Sequence, residues 1–425
     1  MGAFEFGMSP LFTWESVASA FFGGLLLGCS VVFKTSCLGG VLGLSTYIKQ
    51  LFWFEKKRYF FIVGMVIGTL ALGLCWKQVE KLPPPGVEGK DRYLLFLRMI
   101  AGNYLLGLGS SLQCGCTSGH GLTGLARLSL QSWFAVPIFM LAGLLAGTLF
   151  QTADAFPPQH LDAHLKWFEG PLIAATMSML LLLIVPIFFF VGRVAGEQVK
   201  HIALLLGETI AGVAFAAGLI ISSMAFPSKV ASFLDIASGA WDLCLPFVMA
   251  GGLCITFPYF LAVEVFKVQT KSLLLRADLD LPPRNRWPTW TLTRGAIYFG
   301  IGWGICATTP CSIFINLAGA PSWEMFCGLV AFVAGLFSTD CLELWRARLS
   351  AKSNDVSNDI KIETKNPKLK GEGRGFKEEE QSTDISSSQS SEEPRPLRPL
   401  VWVSDNMAPV FREDAVHHGD SVAAV

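Results

Sequence analysis

Nine apolar runs, each close to the length of a bilayer crossing, constrain this chain more than anything else in it. They lie at residues 15–33, 59–76, 93–112, 133–150, 171–191, 204–223, 241–263, 292–310 and 323–341. About 20 predominantly apolar residues cross the hydrocarbon. No water is available there, so each backbone N–H and C=O must be satisfied within its own segment, and runs of this length are helices. Composition agrees: 52% of residues are hydrophobic, 16% are charged and the mean hydropathy is +0.48. Such values exclude a soluble domain. Several runs are short or broken by Gly and Pro, so some are expected to be half-helices that meet inside the membrane. The expected fold is an all-α integral membrane protein with about nine spans plus short half-helices.

Lys and Arg in the short loops set orientation. Residues 48–59 and 267–294 are basic, whereas 151–170 is acidic with a single Lys. With nine spans, an outside N-terminus puts both basic loops and the C-terminal tail in the cytoplasm, and the plasma membrane is the expected location. The loop at 77–92 disagrees, with four basic residues on the outer side. The first 33 residues carry no Lys or Arg, so the basic start of a cleaved signal peptide is missing. From about residue 350 the chain is rich in Lys, Glu, Ser and Asp. That composition buries too little apolar surface to fold and reads as a disordered tail, 350–425. Its serines at 386–388, 390 and 391 stand beside acidic residues; they are phosphorylation candidates or an unmodified solvated surface.

Residues 114–129, CGCTSGHGLTGLARLS, interrupt this apolar pattern. Two thiols, several hydroxyls, an imidazole and four glycines stand between two spans. Polar, Gly-rich backbone at membrane depth is tolerated where protein buries it or water lines it, so the segment reads as a pore or site; a short polar loop is the other reading. The eleven cysteines fall mostly inside apolar runs rather than in loops, unlike an extracellular disulfide framework. Cys75, Cys244, Cys254, Cys327 and Cys341 read as small apolar filler.

The chain also repeats itself. At an offset of 79, Gly23, Leu26, Leu27 and Gly28 fall on Gly102, Leu105, Leu106 and Gly107, and Cys37 and Gly40 fall on Cys116 and Gly119. A weaker pair at an offset of 84 brings Gly218 onto Gly302. Each unit is a glycine-punctuated helix that stops in a small polar turn. Repeats of this kind build transporters around a central path with a site near the midplane. GMVIG at 64–68 and GLLAG at 143–147 read as plain helix-packing motifs.

Residues 115–129, GCTSGHGLTGLARLS, closely resemble the signature of the YeeE/YedE sulfur-transport family, whose members include thiosulfate transporters. Residues 218–252 and GIGWGI at 300–305 look like the family's companion unit. The resemblance implies two half-units fused in one chain, 1–191 and 192–349. It implies short helices meeting near the midplane within a bundle of full spans, with cysteines lining the path. Cys116 matches the family's motif cysteine directly; Cys37 matches through FKTSC and through the repeat. There are departures. Cys114 stands where the family usually has a non-cysteine polar residue, and Ser223 replaces a usual Gly. Thr309 occupies the Cys position of the family's Cys-Pro-Gly-Pro turn, with Cys311 two residues on.

The expected function is uptake of thiosulfate or a related small sulfur-containing anion through a cysteine-lined path. A dianion cannot enter hydrocarbon bare. Half-helices that end at mid-membrane offer unpaired N–H groups and about half a positive charge at each N-terminus. Thr117 or Ser118 would cap such a helix. A thiol is a weak donor and a soft partner for terminal sulfur. The candidate substrate-binding residues are Cys37, Cys114, Cys116, Thr117, Ser118, His120, Thr309 and Cys311. His120 either donates to the anion or braces the turn. Arg127 either attracts anions at the cytoplasmic mouth or anchors topology. Glu208 either couples protons or lies at the interface at the mouth. The partners are the anion and the lipid bilayer, with no nucleic acid, catalytic residue or cofactor called for. Rival readings are a thiol–disulfide relay using Cys114, Cys116 and Cys37, a channel for another small anion, and a scaffold that works through its tail. A metal site at Cys114, Cys116 and His120 has spacing unlike the usual zinc patterns.

Overall fold

The computed structural model describes residues 13–52, 56–76, 84, 87–157, 168–239 and 241–365. The first half contains α1 (Trp14–Phe33), a π-helical turn π1 (Lys34–Leu38), α2 (Leu44–Phe52), α3 (Lys56–Trp76) and α4 (Gly89–Leu112). It continues through a second π-helical segment, π2 (Thr117–Gly124), then α5 (Leu130–Leu149), the single turn α6 (Thr152–Ala155) and α7 (Glu169–Val194). The second half contains α8 (Glu197–Ile221), α9 (Pro227–Leu234), α10 (Cys244–Glu264), α11 (Trp290–Cys306), α12 (Pro310–Gly319) and α13 (Trp323–Lys365). Among the described residues there is no strand, only two isolated bridges. Eight segments are long and apolar enough to cross a membrane, and the shorter apolar stretch Tyr59–Gly73 lies on α3 at the ninth expected place. The tail beyond Lys365 and most of the loop at 77–92 lie outside the described residues.

Close glycine contacts set the helix packing. Gly23 of α1 faces Gly218 and Ser222 of α8, and a Cβ on it would stand 2.6 Å from the Ser222 amide nitrogen. Gly102 of α4 faces Gly302 and Cys306 of α11, and a Cβ there would stand 2.6 Å from Cys306 Cβ. Small residues let backbones approach this closely in a membrane bundle. The partners obey the sequence offsets: Gly23 and Gly102 are 79 apart, whereas Gly218 and Gly302, like Ser222 and Cys306, are 84 apart. The two repeats are thus each other's packing partners. Gly64 of α3 against α8 and Gly143 of α5 against α11 make a further pair of contacts in the 79-residue register. GMVIG and GLLAG pack as expected, and they also belong to the repeat.

These contacts also fix direction. Gly23 meets Ser222, while Ser30 Oγ donates to Ala211 O at 2.8 Å, so α1 and α8 are antiparallel. Gly24 and Gly28 meet the carbonyls of Val248 and Gly252, so α1 and α10 are parallel. The same logic makes α4 antiparallel and α5 parallel to α11. The end of α4 and the start of α5 therefore share one end of the bundle with the basic segment 265–289. π2, between them, dips inward and returns.

α8 and α11 both start at that basic end and stop part-way. Each is followed by a left-handed residue that is not Gly: Ser223 with φ 58° and Ala307 with φ 51°, again 84 apart. α9 and α12 then start with Pro227 and Pro310, where the missing N–H is an unpaired one in any case. They carry the chain on to the opposite end. Two of the spans are thus interrupted helices, as the sequence led one to expect. Asn316 of α12 donates to Ala225 O at 2.9 Å and ties the two interruptions together.

Candidate functional site

π2 and α12 begin at the same depth and lead away to opposite ends of the bundle. A cavity of about 30 Å³ lies between their first turns, lined by Thr117 and Ser118 from one and Thr309 and Cys311 from the other. That is room for about two waters. Leu27, Phe215, Leu219, Met224 and Met249 supply apolar wall. Four of the eight residues named from sequence are therefore brought onto one surface, although 190 or more positions separate the two pairs.

The first N–H groups of a helix have no partner within it, and its N-terminal end carries partial positive charge. In π2 the N-cap is Cys116, in extended backbone (φ −134°, ψ −172°) and without a side-chain cap bond. This corrects the expectation that Thr117 or Ser118 caps the helix; both sit inside it with their side chains at the cavity. In α12 the N-cap is Thr309, which forms a capping box with Ser312: Ser312 N donates to Thr309 Oγ1 at 3.2 Å and Thr309 N to Ser312 Oγ at 2.7 Å. Pro310 has no N–H, so Cys311 carries the remaining first-turn amide, along with its thiol.

Cys116 is fully buried, with Sγ 3.1 Å from Ser118 Oγ. Ser118 also faces Cys311, and Cys116 lies close to Cys311. One hydroxyl on the cavity lining thus stands between two thiols, that of Cys311 on the lining and that of the buried Cys116. His120 lies behind them. Nε2 is 3.0 Å from the Gln113 carbonyl and Nδ1 is 2.9 Å from Ser132 Oγ. A carbonyl only accepts, so Nε2 donates, and in the neutral ring Nδ1 accepts from Ser132. Both nitrogens are used, and His120 braces the re-entrant segment. Cys114 is not brought to the cavity. It is exposed, left-handed at φ 57°, with Sγ turned toward Ser111 O at 3.7 Å. Cys37 is buried in π1, beside Ser36 and Tyr259 and apart from the cavity lining.

Two charged residues are placed away from open solvent. Glu208 does not lie at an interfacial mouth; it is 2% exposed and ion-paired with the fully buried Lys34. The Lys34 ammonium also lies 4.9 Å from the Tyr47 ring centroid and 5.3 Å from that of Phe61. A cation over aromatic faces is attracted by their quadrupoles. Lys34 was legible only as a lone basic residue ending an apolar run, in FKTSC. Arg127 is buried against Glu264 and donates to the Pro282 carbonyl, so it ties π2 to the basic segment rather than standing open to solvent.

A multi-pass bundle with interrupted helices whose ends meet at a small internal cavity has the architecture of a membrane transporter. Residues 43–146 match the family described as Sulphur transport, and residues 203–351 match a family of unknown function, DUF6691. A protein of Xylella fastidiosa strain 9a5c named "Probable transporter" is 32% identical over 128 residues, 30% of this chain and 89% of that protein. Another of that name, from strain Temecula1, is 32% identical over 131 residues, 31% of this chain and 84% of its own length. A third, from strain 9a5c, is 34% identical over 100 residues, 24% of this chain and 65% of its own length. The chain belongs to the sulphur-transport (YeeE/YedE) family.

Proposed function

We propose that this protein carries thiosulfate, or a closely related small sulfur-containing anion, across the plasma membrane by way of the cavity at Thr117, Ser118, Thr309 and Cys311. The observation that carries the reading is the meeting of two helix N-termini at one small cavity with the Cys311 thiol in its wall and the Cys116 thiol next to it. Amides and dipoles suit the oxygens and the double negative charge. Cys116 and Cys311 suit the terminal sulfur, since a thiol is polarisable and donates weakly. Serial, moderate contacts let an ion enter and still leave. A sulfur oxyanion is larger than the resting cavity, so entry displaces wall; Met224 and Met249 are the flexible side chains there.

Thr309 stands where the family has a cysteine, and its hydroxyl is committed to the capping box. Cys311 supplies a thiol to the same cavity from two residues on. The two half-units, 1–191 and 192–349, form the path together, because helices of each pack on helices of the other. The basic loops favour a cytoplasmic basic end, an outside N-terminus and a cytoplasmic tail.

Uptake of sulfur-labelled thiosulfate by cells expressing the chain tests the substrate. Competition by sulfite, sulfide and selenium analogues ranks the alternatives. No uptake above untransfected cells, with the protein in the membrane, rejects the substrate. Orientation is tested by labelling Asp154→Cys and Asp355→Cys from outside: Asp154→Cys should react in intact cells and Asp355→Cys only after permeabilisation.

A further inference from the structure

α11 is packed on two sides and bare on a third. Gly295 and Gly302 press against α4, at Leu112, Gln113 and Gly102. Gly300 and Gly304 press against α5, at Phe139 and Gly143. Trp290, Arg294, Ile297 and Tyr298 are exposed. Spacings of four, seven and eight positions put them on one stripe of the helix, and on a membrane span an exposed stripe faces lipid. Three of the four suit such a face. Arg294 does not, because a charged side chain on a span ordinarily turns inward, to a partner or a water-filled cavity.

Among the described residues, none accepts a hydrogen bond from the Arg294 guanidinium or pairs with it. The surrounding sequence holds no counter-charge either. Residues 281–323 carry three arginines, Arg284, Arg286 and Arg294, and no acidic residue. Glu264, a carboxylate at this end of the bundle, is already committed: Arg127 pairs with it, and Arg284 Nε stands 3.9 Å from its second oxygen. The depth is that of lipid headgroups. At 1.5 Å per residue, Arg294 lies about 6 Å along the helix from Trp290. Tryptophan marks the membrane–water boundary, and the long stem of arginine lets its head reach back to that level. Two further exposed indoles, Trp287 and Trp133, are at the same end, where Gln131 Nε2 donates to the Trp287 carbonyl at 3.3 Å. The anion present at that depth is a lipid phosphate.

We propose that Arg294, flanked along the stripe by Trp290 and Tyr298, binds the headgroup of an anionic phospholipid in the leaflet at the basic end. The planar guanidinium fork matches two phosphate oxygens. The acyl chains then run along the helix over Ile297 and Tyr298. Three arginines without an acid favour a headgroup of net negative charge over a zwitterionic one, whose ammonium they repel. The bound lipid braces the start of the helix whose other end leads to the Thr309 cap. None of this depends on which ion the protein carries.

The test is a lipid titration of the purified, delipidated full chain in mild detergent, with bound lipids counted by native mass spectrometry. Phosphatidylglycerol is compared with phosphatidylcholine of the same acyl chains. The first phosphatidylglycerol should bind the wild type about fivefold more tightly than the first phosphatidylcholine, and should raise the unfolding temperature more. In Arg294→Gln the ratio should fall below about twofold. Arg294→Lys, which keeps the charge and loses the fork, should fall between the two. Arg276→Gln removes an exposed arginine of the basic segment from outside the stripe and should leave the ratio as in the wild type. Equal affinity for the two lipids in the wild type overturns the proposal, as does an undiminished preference in Arg294→Gln. An equal loss in Arg276→Gln also overturns it, since net charge alone would then set the preference. Displacement of the phosphatidylglycerol by inorganic phosphate would make this a site for the free ion and rejects the lipid. If Arg294→Gln accumulates poorly, the comparison of Arg294→Lys with the wild type decides.

Discussion

Cys37 and Cys116 occupy equivalent places in a 79-residue repeat, yet the structure treats them differently. Cys37 lies inside a π-turn, at the end of its helix, where the backbone N–H groups of Leu273, Leu274 and Asp280 engage the carbonyls of Ser36, Cys37 and Gly39. Cys116 lies in extended backbone, at the start of its helix, next to a cavity. One thiol is at the negative end of a helix and the other at the positive end. The helices before them do keep the repeat, because Gly23 and Gly102 make the same kind of contact with equivalent partners. The contrast teaches that the repeat preserves packing, where a methyl group would collide, and lets turns diverge where no such collision constrains them. With no residue inserted, α1 winds on into π1 through Cys37, whereas α4 ends at Leu112 and π2 starts only after Cys116.

The largest expected effect sharpens this contrast directly. Cys116→Ala should lower thiosulfate uptake per surface molecule by about 100-fold, and Cys116→Ser nearly as much, because serine keeps a donor but loses the soft sulfur. Cys37→Ala, without the favourable helix end, should lose roughly tenfold. Equal, small losses at both cysteines would reduce them to packing residues, and wild-type uptake in the double variant would falsify the cysteine path.

Next comes the ion pair beneath the first repeat, which the second lacks. Lys34→Met leaves Glu208 buried without its cation and should destabilise the protein by about 3–5 kcal/mol. Adding Glu208→Leu should restore much of that, since replacing both partners removes the uncompensated charge. Thermal unfolding in detergent, followed by tryptophan emission, measures both. A double variant no more stable than Lys34→Met would show that Glu208 needs a partner other than Lys34.

The glycine contacts should respond alike in the two halves. Gly23→Ala and Gly102→Ala each place a methyl within 3 Å of a neighbouring helix, and each should cost about 1–3 kcal/mol of stability. A large loss at one and none at the other would break the equivalence of the repeats. The smallest effect belongs to the interruptions: Ser223→Gly and Ala307→Gly relieve a left-handed residue and should each raise stability by up to about 1 kcal/mol. A fall in stability at either position would mean that its side chain contributes more than its backbone costs.

Much of this protein was legible in its residues alone. The nine runs became helices because hydrocarbon leaves the backbone no other way to satisfy itself. The glycine register was legible because a colliding methyl cannot be compensated by a rotamer. GCTSGHG was legible as an interruption of the apolar pattern, because its polar, Gly-rich backbone could not be a plain span. What stayed hidden depended on contacts between distant segments. Sequence put Cys114 and Cys116 side by side, but one left-handed residue sent Cys114 outward and left Cys116 buried next to the cavity. It placed Glu208 at a mouth, because the helix that covers it with Lys34 is 174 positions away. Local pattern and hydrocarbon chemistry determined which segments are helices and where they break. Only the tertiary structure decided which broken ends meet and which side chains share the cavity between them, because those depend on neighbours that no local spacing encodes.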